Sequence, residues 1–339
     1  VSTTFDKWST QIYTAKDALK DRPPRQYLVK PFFLLPSINI IYGSPGSLKT
    51  NFVIDLAVCV SLGRKWLMGR PDLKFGGYET MQGAVMWVDK DSGEDDLHER
   101  FGATIRGHKG HEKLPIHYMS FPEPTFTAMK EESVNAIIEY ARKFKVKLIA
   151  FDNLGTTSGA KSLKEDESIE VMQRFRLISR KVNATVIIIH HDTKIMTNRR
   201  ESSSGHTGIG GAVNQEIHLT RDHDEVNLKS TKTRNKGFEP FNAYWSYHHR
   251  TGTIDLEQCK FFGLAEEEDA DYIRVKDVVF DYLSSNGASA NQSMLFSAGK
   301  KNSIGRPTMK AMIDRMIEKK DLFSSVSKRG AYSYRLESR

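Results

Sequence analysis

The chain has 339 residues, of which 39% are hydrophobic and 27% charged, with a formal net charge of +8 and a pI of about 9.2. That length carries one large domain or two moderate ones with ample buried core, and no apolar run approaches a membrane span. The excess of Lys and Arg suits polyanionic partners such as nucleic acid, or a merely solvated basic face. The two distant cysteines, Cys59 and Cys259, form neither a disulfide framework nor a zinc pattern and read as packing residues.

Residues 1–30 read as a polar N-terminal arm, broken by DRPPR at 21–25. The arm has no apolar stretch of the signal-peptide kind, so a cytoplasmic location is expected. A core is expected over residues 31–262. Ile38–Tyr42, Ala84–Val88, Leu148–Phe151, Thr185–Ile189 and Glu216–Leu219 are short, apolar runs rich in Val and Ile. Central strands of a parallel sheet, buried on both faces, have this composition. Between them, Asn51–Leu62, Val134–Phe144 and Ser168–Val182 are predicted helices, the last two on apolar spacing of the helical period. The alternation predicts an α/β fold with a mainly parallel twisted sheet. The stretch 225–262 reads as antiparallel strands with turns at NKG and RTGT.

AEEEDAD marks an acidic linker at 263–271, and a separate module is expected over 272–339. Val275, Val278, Val279, Tyr282 and Leu283 form one helical stripe. Met309, Met312, Ile313, Met316 and Ile317 form another, entered through GRP with Pro307 in the first turn. DLFSSVSKRGAYSYRL then reads as two strands around a KRG turn. Helix, helix, helix, hairpin is the order of a winged helix-turn-helix.

Residues 38–50, INIIYGSPGSLKT, place a strand before a glycine loop and a helix after it. The run Gly43, Ser44, Pro45, Gly46, Ser47, Leu48, Lys49, Thr50 follows the phosphate-loop pattern G-x-x-x-x-G-K-[ST], with Leu48 where the second glycine stands. In such a loop backbone N–H groups wrap phosphates, the lysine reaches the outer ones, and the hydroxyl holds Mg²⁺. ATP and Mg²⁺ are therefore the expected ligands. At ordinary negative φ, Leu48 costs little; at positive φ it carries ~1–2 kcal/mol of strain. The competing reading is an ordinary turn.

KLIAFDN ends an apolar strand at Asp152, a candidate second ligand for Mg²⁺ or else a helix cap. AVMWVDKDSGEDD offers Asp89, Asp91, Glu94 and Asp95. Asp89 and Asp91 face opposite ways on a continuing strand, and spacing does not choose between them as the group that positions water. IIIHHDTK ends a strand at His190 and His191. No cysteine or third histidine follows at ligand spacing, so the pair reads as a γ-phosphate contact or a structural pair rather than a metal site. In STKTRNKGFEP, Lys232, Arg234 and Lys236 alternate along a strand toward a neighbouring subunit's phosphate, DNA or solvent.

With these pieces in this order, residues 25–250 resemble the RecA-like hexameric helicases, most closely the plasmid RepA type. The resemblance rests on YGSPGSLKT, VMWVDKDSGEDDLHERF, LIAFDN, VIIIHHDTK and SSSGHTGIGGAVNQ. It implies a RecA-like core that assembles into a ring, a hexamer in the helicases it resembles, with ATP between subunits. Lys49 and Thr50 match the phosphate loop and Asp152 the magnesium-coordinating aspartate. Asp91 falls where the family places its catalytic glutamate, one methylene shorter. His191 matches the γ-phosphate sensor, Lys232 and Arg234 the basic pair inserted into the neighbouring site, and Arg100 an arginine that stacks on adenine. The resemblance also implies two channel loops for single-stranded DNA, Gly155–Asp166 with Lys161 and Lys164, and Asn198–Gly211 with Arg199 and Arg200. Neither loop has an aromatic, so the grip would be on phosphates.

In the C-terminal module, Lys300, Lys301, Arg306 and Lys310 about the recognition helix and Lys328 and Arg329 on the wing suit duplex DNA contacts. The reading that follows is a DNA-acting, helicase-like ATPase of plasmid, phage or related replication. The alternatives are an ATP-switched DNA-binding or recruitment protein with little hydrolysis, and a RecA-type recombinase.

Overall fold

A computed structural model describes residues 4–9, 12–69, 76–160, 165–191, 207–234, 237–264, 270–286, 289–319, 321–326 and 332–336. Helices α1 (Thr4–Ser9) and α2 (Ala15–Ala18) lead into a small antiparallel pair, β1 (Tyr27–Val29) and β2 (Phe33–Leu34). The core then alternates: β3 (Ser37–Gly43), α3 (Lys49–Leu62), β4 (Ala84–Asp89), α4 (Glu94–Gly107), β5 (Ile116–Ser120), α5 (Glu131–Lys143), β6 (Val146–Asp152), α6 (Leu154–Ser158), α7 (Glu165–Val182), β7 (Thr185–His191), α8 (Thr207–Ala212) and β8 (Gln215–Asp222). An antiparallel meander follows, β9 (Glu225–Thr233), β10 (Phe241–His249) and β11 (Leu256–Gly263).

Nine strands form one sheet in the order β11-β10-β9-β8-β3-β7-β6-β4-β5. Pairing is parallel from β8 to β5 and antiparallel from β8 to β11. The expected α/β fold with a mostly parallel sheet is thus present; each of the five predicted parallel strands lies within an observed strand, and the three predicted helices match α3, α5 and α7, with α5 ending one residue before the predicted Phe144. The edge strand β5 escaped the sequence reading because its residues are half-exposed rather than apolar.

Alternate side chains of each central strand feed two cores. Ile41, Val85, Trp87, Leu148, Ile187 and Ile189 pack with α3 and α4 on one face. Ile40, Met86, Val88, Ile149, Phe151 and Ile188 pack with α5 and α7 on the other. Helices on both faces are what a parallel sheet requires, since neither face carries polar side chains for water.

Helix α3 is unusual in being covered all round. Every residue from Phe52 to Ser61 is buried, which a one-faced surface helix would not allow. The meander supplies the second cover: Trp245, Cys259 and Phe261 belong to the same core as α3, and the rings of Phe52 and Phe261 meet edge to face at 5.1 Å. The last strand also seats against α4, where Thr104 Oγ1 lies 3.4 Å from Cys259 Sγ and the Leu256 N–H donates to Glu99.

The C-terminal elements are α9 (Ala270–Ser285), β12 (Ser289–Asn291), α10 (Gln292–Lys301), α11 (Arg306–Glu318), β13 (Phe323–Val326) and β14 (Tyr332–Arg335). The three strands form a separate antiparallel sheet, β12-β14-β13, over their own apolar cluster, which includes Val275, Val279, Leu283, Met309, Ile313 and Met316. Regular structure reaches into both ends of the expected 263–271 linker. Gly263 closes β11 by donating to the Leu67 carbonyl, and buried Leu264 packs with Tyr244, Phe262 and Ile273. Among the described residues no helix is long and apolar enough to cross a membrane.

Candidate nucleotide site

The parallel strands end at one edge of the sheet, and their register lines up the residues that matter. Gly43 of β3 pairs with His191 of β7, and Asp89 of β4 pairs with Asp152 of β6. Because β7 lies between β3 and β6, its histidines stand between the glycine loop and the aspartate. Ligands of open α/β sheets bind in the crevice at this edge.

The glycine loop joins β3 to α3. A Cβ on Gly43 would lie 2.1 Å from the Leu219 carbonyl oxygen, so β8 can approach only a glycine there. Gly46 has φ +79°, and Ser44, Pro45 and Gly46 form the exposed crest. Lys49, 4% exposed, folds back under that crest. Its ammonium donates to the Gly43 and Ser44 carbonyls at 2.8 Å and to Ser47 Oγ at 3.3 Å. Leu48 adopts φ 68°, ψ 17° as the N-cap of α3. The second motif position therefore does take the left-handed conformation. Leucine bears a strain of ~1–2 kcal/mol there, set against the packing of its half-buried side chain on the α3 core. Leu48→Val, which adds β-branching at positive φ, should lower stability to urea by about 1–2 kcal/mol, whereas Leu48→Gly should be near neutral.

Asp152 is buried at the end of β6. Its Oδ2 accepts from Thr50 Oγ1 at 2.7 Å, while its buried Oδ1 accepts no hydrogen bond from any described residue. Burial, reinforced by the Asp91 and Asp89 carboxylates, pushes its acid up to about 7; the Thr50 hydrogen bond and the Arg100 charge oppose this. A buried carboxylate with one bare oxygen, beside a hydroxyl and two further acids, fits a divalent cation. Thr50 and Asp152 would hold it.

The structure separates the two acids that spacing left open. Asp89 is fully buried and saturated: it accepts from the N–H groups of Asp91, Ser92 and Gly93 and from Ser120 Oγ. It shapes the turn into α4. Asp91 is 37% exposed. Its Oδ1 accepts from Asn153 Nδ2 at 2.6 Å, and its Oδ2 lies 3.8 Å from His191 Nε2. Thr50, Asp91, Asp152, Asn153 and His191 are thus one constellation, with Lys49 and Gly43–Leu48 beside it.

The remaining expected residues fall elsewhere. Arg100 donates to Ser92 Oγ at 2.8 Å and lies near Asp96 on α4, its charge directed at the carboxylates. Lys232 and Arg234 turn together toward the end of α8, donating to the Val213 and Gly211 carbonyls. Burial, followed by the charge of Arg234, pushes the Lys232 ammonium down. Only parts of the two expected channel loops, Gly155–Asp166 and Asn198–Gly211, lie among the described residues, and those parts include helical turns. Leu154–Ser158 is helix α6, started by a capping box between Asn153 and Thr156, and Thr207–Ala212 is α8. Lys161, Lys164, Lys236, Arg199, Arg200, Lys328 and Arg329 lie outside the described residues. Lys300, Lys301, Arg306 and Lys310 are all exposed, with the Arg306 guanidinium 4.9 Å from the centre of the Phe296 ring.

Sequence reading missed two participants. Asn153 stood next to Asp152 in the quoted LIAFDN, but only the β4–β6 pairing shows that it holds Asp91. Arg221 carries no local signal. It reaches the loop because β8 pairs with β3, and it donates to the Gly46 carbonyl at 3.1 Å.

A mostly parallel sheet with this loop, buried lysine and Thr–Asp pair at its edge defines a P-loop ATPase of the RecA/AAA-like type, a nucleotide-binding class that works typically with Mg²⁺. The family model of the AAA domain matches residues 9–195, more than half of the 339-residue chain, and the chain belongs to that family. No curated protein matches it.

Proposed function

We propose that this ATPase is a DNA-acting motor of the helicase kind, serving replication of a plasmid, phage or related element. The observation that carries the reading is the single constellation of Lys49, Thr50, Asp91, Asp152 and His191 at the edge of the sheet. Lys49 is poised under the loop to follow the outer phosphates of ATP. Thr50 and Asp152 hold Mg²⁺, which when bound offsets phosphate charge. Asp91, half-open and steadied by Asn153, positions the attacking water. His191, in reach of both Gly43 and Asp91, reports the γ-phosphate to the following segment.

The DNA-acting part rests on the family resemblance and on charge. The winged-helix reading draws support from three helices and a small antiparallel sheet, with β12 added between α9 and α10, and exposed Lys300, Lys301, Arg306 and Lys310 suit duplex phosphates. Lys161, Lys164, Arg199 and Arg200 are the cations for single-stranded DNA. In a ring, Lys232 and Arg234 would exchange the α8 carbonyls for a neighbour's ATP.

ATP hydrolysis measured with and without single-stranded DNA tests this reading. Turnover should rise several-fold with DNA, the stimulation should fade with added salt, and a Lys49→Ala control should show none. Tight ATP binding without turnover would replace the motor with an ATP-switched DNA-binding protein. Filaments instead of rings by electron microscopy would favour a recombinase. Neither binding nor turnover in folded protein would overturn the site.

A further inference from the structure

A second cluster of ligating side chains lies away from the glycine loop, between α3, α4 and β11. Asp55 and Cys59 are one turn apart on α3, so they share a face, and both are 0% exposed. His108 follows α4 and closes over them. Its Nε2 lies 2.6 Å from Asp55 Oδ1, and both ring nitrogens lie 3.8 Å from Cys59 Sγ. One donor atom from each residue falls within 4.8 Å of the others.

An Asp–His pair alone would leave this arrangement incomplete. Asp55 Oδ1 accepts from the Phe261 N–H at 3.0 Å as well as facing His108. Asp55 Oδ2 is buried and accepts no hydrogen bond from any described residue. A buried carboxylate oxygen with no donor is costly, and this one belongs to a residue already grouped with a thiol and an imidazole. Carboxylate, thiolate and imidazole together are a donor set for zinc-like cations.

We propose that Asp55, Cys59 and His108 form a binding site for a thiophilic divalent cation such as Zn²⁺, separate from the Mg²⁺ position at Thr50 and Asp152. Donors held tetrahedrally at about 2.0–2.3 Å from a metal lie roughly 3.3–3.7 Å apart. The 3.8 Å between Sγ and the ring is close to that spacing. The 2.6 Å Oδ1–Nε2 contact is too short to span a metal, so the cation is taken by Oδ2, which leaves the Phe261 bond in place. On binding, the Cys59 thiol gives its proton to water and His108 binds through a neutral ring nitrogen. Burial, then the Asp55 charge, holds that thiol well above its ordinary value, against the smaller opposing charges of Lys260 and Arg64. Because α3 begins with Lys49 and Thr50 and α4 follows Asp91, such an ion ties together the two helices that carry the nucleotide site.

Titration of chelator-treated full-length protein with Co²⁺ tests the site. One equivalent should give a sulfur-to-cobalt charge-transfer band, displaced by Zn²⁺ and unaffected by saturating MgATP. The band should be lost in Cys59→Ser and weakened in His108→Gln, and kept in Cys259→Ser, which leaves the other thiol in place. Zn²⁺ should also raise the thermal midpoint of the unsubstituted protein. Absence of any band in folded, unsubstituted protein would overturn the site even if the variants misfold. So would a band that depends on Cys259 alone or is removed by MgATP.

Discussion

Asp152→Asn should cut ATP turnover severely and, at the same time, make the metal-free protein more stable at pH 8. The carboxylate is buried among like charges, and its acid stands at about 7 instead of 3.8. Below about pH 4 both folded and unfolded chains carry the proton, and the folded state suffers no penalty. As pH rises toward 7 the unfolded chain ionises first, so stability falls through that window and levels off above it. The loss is about 2–4 kcal/mol. Asparagine keeps an oxygen for the Thr50 hydroxyl but carries no charge to desolvate, so the variant should lack this slope. Urea unfolding at pH 5 and pH 8 with a chelator measures it. Mg²⁺ should restore the stability of the unsubstituted protein at pH 8 and leave the variant unmoved. Turnover should fall by about 10³-fold, the worth of several kcal/mol of transition-state stabilisation through the metal. Equal pH profiles for the two proteins would show that Asp152 is not penalised and that the cation site is misassigned.

Asp91→Asn should lower turnover by about 10²–10³-fold while leaving ATP affinity nearly unchanged, because a group that only orients and deprotonates water acts in the transition state. The amide can still meet Asn153 but cannot accept a proton. Asp91→Glu should hydrolyse ATP at or above the unsubstituted rate, since the half-open position leaves room for the extra methylene. Steady-state hydrolysis beside nucleotide-binding titrations separates the two effects. Full activity in Asp91→Asn would move the base elsewhere, and loss of ATP binding in both variants would make Asp91 a scaffold for the loop.

Much of the core was legible because its strands are buried on both faces and so read as unbroken apolar runs. The same logic hid β5, an edge strand with mixed exposure, and α4, which opens on the acidic turn Glu94, Asp95 and Asp96 rather than on an apolar run. The site residues that could be read each follow an apolar strand: Lys49 and Thr50, Asp91, Asp152, His191. What could not be read depends on which strands lie side by side. The β4–β6 pairing brings Asn153 to Asp91, and the β3–β8 pairing brings Arg221 to the loop. Nor does a leucine in a glycine position reveal its φ, or a buried Asp-x-x-x-Cys the histidine that follows another helix.

The double cover of α3 has a consequence for how the chain is made. Phe52 and Phe261, which meet across that cover, are far apart along the chain. At the ribosome's pace of ~5–20 residues per second, the helix that carries Lys49 waits roughly 10–40 s for its outer lining to emerge. Until then a nearly all-apolar segment is exposed on a nascent polypeptide, a natural client for holding chaperones.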